Sequence, residues 1–188
     1  MPRVSARHVR GTLFVDYVRM LRSRKDFDWS KQLQPQDIAY LGQRIALEEW
    51  YPMESFERMG LAILAEIAGG DIASVKEWGR SSIDGLRLTH PDLVTPGDAR
   101  ESLMKFSVLR SGFFDFPALV VNEINDGEAS VQIAYQMGAL AEEAASNQTM
   151  GFFERLLELA GVREPRVYFA SRSWTGAAVT VLEMGWDG

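Results

Sequence analysis

The chain has 188 residues, a formal net charge of −6, 46% apolar and 24% charged residues, and no cysteine. That composition is globular and excludes disordered and collagen-like classes, while the missing thiols exclude disulfide frameworks, thiolate nucleophiles and cysteine-ligated metal centres. No apolar run approaches the ~18 residues that span a bilayer and no signal-peptide segment opens the chain, so a cytoplasmic location is expected.

Charge is unevenly distributed. Arg3, Arg7, Arg10, Arg19, Arg22, Arg24 and Lys25 crowd the beginning, with Asp16 the only acid among them. A basic amino-terminal helix on an acidic body can dock on nucleic acid, on an anionic membrane surface or on an acidic partner face. No aromatic interleaving or nucleic-acid motif accompanies these residues, so a solvated helix face is the favoured reading, with Arg19 and Arg22 kept as partner-binding candidates.

Val9, Leu13, Val15, Val18, Met20 and Leu21 recur at near-helical spacing and predict a helix over about residues 8–24. Pro35-Gln36-Asp37 predicts a second start, because proline lacks a donor that a first helical turn leaves unused. Ile38, Leu41, Ile45 and Ala46 carry that helix into Trp50-Tyr51, where Pro52 ends it. Phe56, Met59, Gly60, Ile63, Leu64 and Ile67 form the next helical stripe, closed by Gly69-Gly70. Asp71 caps a short helix through Val75 to Trp78, residues 86–94 read as a further short helix or turn broken at His90-Pro91, and Asp98 caps a helix burying Leu103, Met104, Phe106 and Leu109.

From Phe113 the period changes. Leu119 and Val121 alternate with their neighbours before Asn125-Asp126-Gly127, and Val131, Ile133 and Tyr135 alternate after it, a hairpin whose Asp-Gly tolerates the positive φ of a tight turn. Met150, Phe152, Phe153, Leu156, Leu157 and Leu159 predict a helix stopped by Gly161. Val167-Tyr168-Phe169 and Val179-Thr180-Val181-Leu182 then predict two strands around Ser173-Trp174-Thr175-Gly176. The order implies a single α+β domain over 1–188, mainly helical over 1–111, with an antiparallel sheet of about four strands and a long packed helix over 112–188.

Chemistry is sparse. His8 and His90 lie in separate segments, with no partner at metal-ligand spacing, and neither a Gly-x-Ser-x-Gly elbow nor a phosphate-binding glycine loop is present. Glu48-Glu49 and Glu142-Glu143 diverge on a helix and read as solvated faces. Neither a metal nor a cofactor is expected. Aromatic residues are the richer signal: Trp50, Tyr51, Phe56, Trp78, Phe114, Tyr135, Phe152 and Trp174 are candidates for holding a ligand or partner, against the plainer reading of a packed core. Trp174, at a hairpin tip, is expected to be exposed and to meet a second copy or the amino-terminal lobe.

The segment Trp50-Tyr51-Pro52-Met53-Glu54-Ser55-Phe56-Glu57-Arg58-Met59-Gly60, with Gly151-Phe152-Phe153-Glu154 and the stretch through Gly161 to Trp186, resembles a group of uncharacterised myxobacterial proteins with no assigned reaction. The order of helical lobe, strand, strand, helix, strand, strand also resembles heme-nitric-oxide/oxygen-binding domains and the 4-vinyl-reductase type of small-molecule-binding domain. That second resemblance implies a proximal His on the last helix before the sheet, where Leu103-Met104-Lys105-Phe106-Ser107-Val108-Leu109 has none. It implies a Tyr-x-Ser-x-Arg grip on the heme propionates at Tyr135-Gln136-Met137-Gly138-Ala139, where only the Tyr stands. The expectation is a non-catalytic regulatory or adaptor protein, homodimeric, holding a partner protein or a small apolar ligand between helical lobe and sheet. The alternative is an enzyme acting on a hydrophobic substrate through Glu123, Asp126 and Tyr135.

Overall fold

A computed structural model describes residues 6–187; Arg3 of the basic cluster lies outside them. The chain divides into two units. The first holds the described residues up to Gly70 together with Gly112–Phe116, and the second holds Asp71–Ser111 together with the described residues from Pro117 onward.

In the first unit, strand β1 (His8–Arg10) leads directly into helix α1 (Gly11–Ser23). The predicted helix thus loses its first turn, because residues 8–10 pair antiparallel with β2 (Trp50–Pro52), Val9 opposite Tyr51. Helix α2 (Pro35–Leu41) is far shorter than its apolar pattern suggests and never reaches Trp50. Its end is fixed from outside: the Arg22 guanidinium donates to the Leu41 carbonyl at 2.8 Å and the Tyr40 carbonyl at 3.1 Å, and also to that of Gln43. These are carbonyls that a helix terminus leaves without partners. Helix α3 (Met53–Glu66) follows its predicted stripe, and Gly69 and Gly70, both at positive φ, close it through the Gly70 N–H to the Leu64 carbonyl. Residues 112–116 return to this unit, where Phe114 bridges Val9, the Arg10 N–H reaches the Phe113 carbonyl, and His8 pairs with Asp115.

The second unit is helices on an antiparallel sheet. Asp71 caps α4 (Ile72–Thr89) as expected, accepting from the N–H groups of Ala73 and Ser74. The helix then runs without a break to Thr89, so the two short pieces predicted over this stretch are one element. It carries two internal glycines, Gly79 where it lies along α6 (Ala139–Leu159) at backbone contact and Gly85 with open space about it. A Cβ at Gly79 would sit 1.9 Å from the Gln148 carbonyl oxygen, and one at Gly151 would sit 2.1 Å from that of Lys76. Lys76 and Arg80 of α4 reach Glu154 of α6, and Arg80 also reaches Glu158. Helix α5 (Ala99–Leu109) is capped by Asp98 and buries Leu103 and Phe106, but Met104, expected inside, is 51% exposed.

The strands β3 (Leu119–Ile124), β4 (Glu128–Ile133), β5 (Arg166–Ser171) and β6 (Thr180–Gly185) form one antiparallel sheet in the order β3-β4-β6-β5. Both hairpins stand where the alternation places them. The inner face carries Val131, Ile133, Leu182 and Met184. Helix α6 begins at Ala139, some three turns before the predicted Met150, and lies against β5 and the turn Ser173–Thr175. The α+β reading holds.

Candidate functional site

The connection from β4 to α6 concentrates buried polar groups in the second unit. After Ile133 the chain leaves the sheet through Tyr135, and Gln136 turns it at φ 58°, a left-handed conformation uncommon for a residue with a Cβ. A turn through a left-handed residue lets successive N–H groups converge, the concavity that accepts anions. Here the anion is the chain's own: the Tyr135 N–H donates to Glu142 Oε1 at 2.8 Å and the Met137 N–H to Oε2 at 3.0 Å. Glu142 stands in the first turn of α6, where the helix dipole favours negative charge, and is only 4% exposed. Its assignment to a solvated face is therefore corrected: a carboxylate that loses water needs replacement donors, and this turn supplies two.

Further along α6, Ser146 and Thr149 follow Glu142 at i+4 and i+7 and so share its face, with Phe153 beyond. Thr149 Oγ1 lies 2.5 Å from the Tyr135 hydroxyl and also donates to the Ala145 carbonyl. Ser146 is fully buried, and its Oγ makes no hydrogen bond. The result is a row of buried polar side chains on one face of α6, with one hydroxyl unsatisfied. Sequence reading missed Glu142, Ser146 and Thr149. The usable signal was their helical spacing among Ala141, Ala145 and Phe153, which becomes legible only if the helix is started at the alanine-rich stretch after Gly138.

Of the residues offered from the sequence as binding candidates, Tyr135 alone belongs to this cluster. Tyr51, Phe56, Trp50, Phe114, Arg19 and Arg22 lie in the first unit. Tyr51 stacks on Phe14 at 4.5 Å and its hydroxyl accepts the Ala46 N–H; Phe56 stacks on Tyr17 at 4.2 Å. Both are core, whereas Phe114 is half-buried with an edge contact to Phe116. Trp50 is 39% exposed, with the Arg10 guanidinium over its ring at 4.3 Å. Arg19 is a solvated partner of Asp16, and Arg22 is the cap on α2. In the second unit, half-buried Trp78 rides on α4, and Phe152 packs against Phe106 and Phe153. Trp174 corrects an expectation: it is half-buried, meets Phe169 edge-on at 5.1 Å, and its turn leans on α6. The helix gives the hairpin tip an apolar surface within its own chain, which the strand pattern alone does not reveal.

The acids of the enzyme alternative do not join Tyr135 in a buried constellation. Glu123 is exposed on β3, and Asp126 is exposed at the hairpin, 3.5 Å from Arg100. His8 Nδ1 lies 2.6 Å from Asp115 and His90 Nδ1 lies 2.9 Å from the Thr89 hydroxyl. Among the described residues, no three His, Asp or Glu side chains are grouped to hold a metal ion, and no helix is long and apolar enough to cross a membrane.

No family model matches the sequence, and no curated protein matches it. Solved structures do. An H-NOX protein from S. oneidensis in the Fe(II)NO state aligns over 95% of this chain and 99% of its own, with a TM-score of 0.63 and 12% identity. An unliganded Fe(II) H-NOX variant from K. algicida aligns over 95% and 97%, with a TM-score of 0.66 and 10% identity. An oxygen-binding H-NOX domain related to soluble guanylate cyclases aligns over 95% of each chain, with a TM-score of 0.62 and 14% identity. The likeness establishes an H-NOX-like fold.

Proposed function

We propose that this chain is a non-catalytic, regulatory ligand-binding module, one that takes a small apolar molecule or a partner protein and acts as a cytoplasmic homodimer. The observation that carries the reading is the H-NOX-like fold over 95% of the chain, since the solved neighbours are domains captured with Fe(II)NO or oxygen. The likeness of residues 50–60 and 151–186 to myxobacterial proteins belongs to the same proposal.

Heme, the group studied in those neighbours, does not fit the residues present. An axial ligand needs an imidazole or comparable donor standing at the heme face. Helix α5, where the resemblance implies that histidine, carries none, and the chain's two histidines stand elsewhere, His8 on β1 and His90 at the end of α4. At the turn after β4, where the resemblance implies a grip on propionates, a buried carboxylate already accepts the backbone donors. A second carboxylate brought there would meet like charge at low dielectric.

The test is native mass spectrometry and light scattering on the purified full chain. An apolar molecule released on denaturation supports the ligand reading, and a ligand-free species of doubled mass supports the homodimer. Turnover of a substrate that a single substitution abolishes overturns the proposal, and so does a stoichiometric tetrapyrrole.

A further inference from the structure

We infer that the turn at residues 135–137 is an anion-binding site whose occupant is tethered: the Glu142 carboxylate fills it from within and bars ligand carboxylates from it, so the domain selects uncharged apolar ligands. The selectivity half rests on the ligand-binding reading above; the anion-site half does not.

Three observations carry the argument. The two N–H donors are spaced to span one carboxylate, each taking a different oxygen, at 2.8 and 3.0 Å. Their convergence depends on Gln136 holding a positive φ, a conformation that a residue with a Cβ adopts at a cost and that is retained where the surroundings over-determine it. On the same face of α6, four residues beyond Glu142, Ser146 Oγ is buried without a hydrogen-bond partner, an unsatisfied polar atom one turn from a satisfied one. A ligand hydroxyl or carbonyl could satisfy that atom, whereas a carboxylate would have to share the neighbourhood with Glu142. Buried like charges repel, so a carboxylate supplied by the chain disfavours charged guests and leaves Ser146 to neutral ones.

The experiment removes the tether and offers a free substitute. Glu142→Ala in the full chain unpairs two buried donors and is expected to lower the melting temperature by roughly 5–15 °C. Sodium formate should recover about half of that loss with a saturable dependence, and sodium chloride at equal ionic strength should not. Wild type should show no such difference between the two salts. Glu142→Gln, whose amide fills the space, should be destabilised without formate rescue. If Glu142→Ala does not fold unaided, refolding yield in formate against chloride replaces the melting temperature. Equal effects of the two salts by whichever readout applies overturn the anion site.

Ligand choice is read separately with octanol and octanoate as probes. Wild type should bind octanol at least tenfold tighter than octanoate, and Glu142→Ala should narrow that ratio. Formate rescue with neither probe bound overturns the ligand reading and leaves the tethered anion standing. Octanol binding to wild type without formate rescue of the variant does the reverse, and equal binding of both probes to wild type overturns the selectivity.

Discussion

Asp37 shows how one buried charge is kept. It is fully buried at the start of α2, accepts the Gln34 N–H at 3.0 Å, and receives Arg58 through two bonds of 2.6 and 2.9 Å. Burial works against its ionisation, but hydrogen bonds from Arg58, Ser55 and the Gln34 backbone outweigh it and hold the carboxyl below its ordinary range. A carboxyl depressed in the folded state stabilises at pH above its unfolded value of about 3.9 and loses that contribution as pH falls through the folded value. Denaturant midpoints measured from pH 7 down to pH 3 should therefore fall for wild type, while Asp37→Asn should start lower and decline less steeply. Removing one member of a buried pair costs about 3–5 kcal/mol, and the 23% exposure of Arg58 puts the expected loss toward the lower end. A midpoint for Asp37→Asn equal to wild type at neutral pH would contradict this account.

At the scale of elements, the contact between α4 and α6 offers a controlled comparison among three glycines. Gly79 and Gly151 sit where the backbones touch, so Gly79→Ala and Gly151→Ala must push the helices apart, an overpacking cost of about 1–3 kcal/mol each. Gly85, exposed on the same α4 with open space about it, should respond oppositely: Gly85→Ala is expected to stabilise by about 0.5–1 kcal/mol through helix propensity. Thermal melts of the three variants check the signs. The same contact explains what was legible in the sequence. Local patterns were enough for α3, whose stripe runs uninterrupted, and for both hairpins, whose alternation and turn residues agree. They were not enough for α4, where the helix runs on through Gly79 at its close approach to α6 and through exposed Gly85 after it, or for α2, where Arg22, distant in sequence, ends the helix early. The buried row on α6 was hidden for a related reason. Nothing local distinguishes buried Glu142 from half-buried Glu143 beside a turn whose donors are spoken for only in three dimensions.

At the scale of the whole molecule, the first unit is discontinuous. Its edge is finished by residues 112–116, through the Val9 bridge to Phe114, the Arg10 N–H to the Phe113 carbonyl, and the His8–Asp115 pair. A fragment ending at Gly70 lacks all three and is expected to show no cooperative thermal transition by circular dichroism, while Asp115→Ala in the full chain should cost about 1 kcal/mol. A sharp, full-amplitude melt from that fragment would refute the dependence. During synthesis the consequence is one of timing. A ribosome adding about 5–20 residues each second must deliver every residue of α4 and α5 before the closing segment emerges. Residues 6–70 therefore wait for the segment that finishes their edge, with β1 and β2 short of their third neighbour until residues 112–116 have emerged.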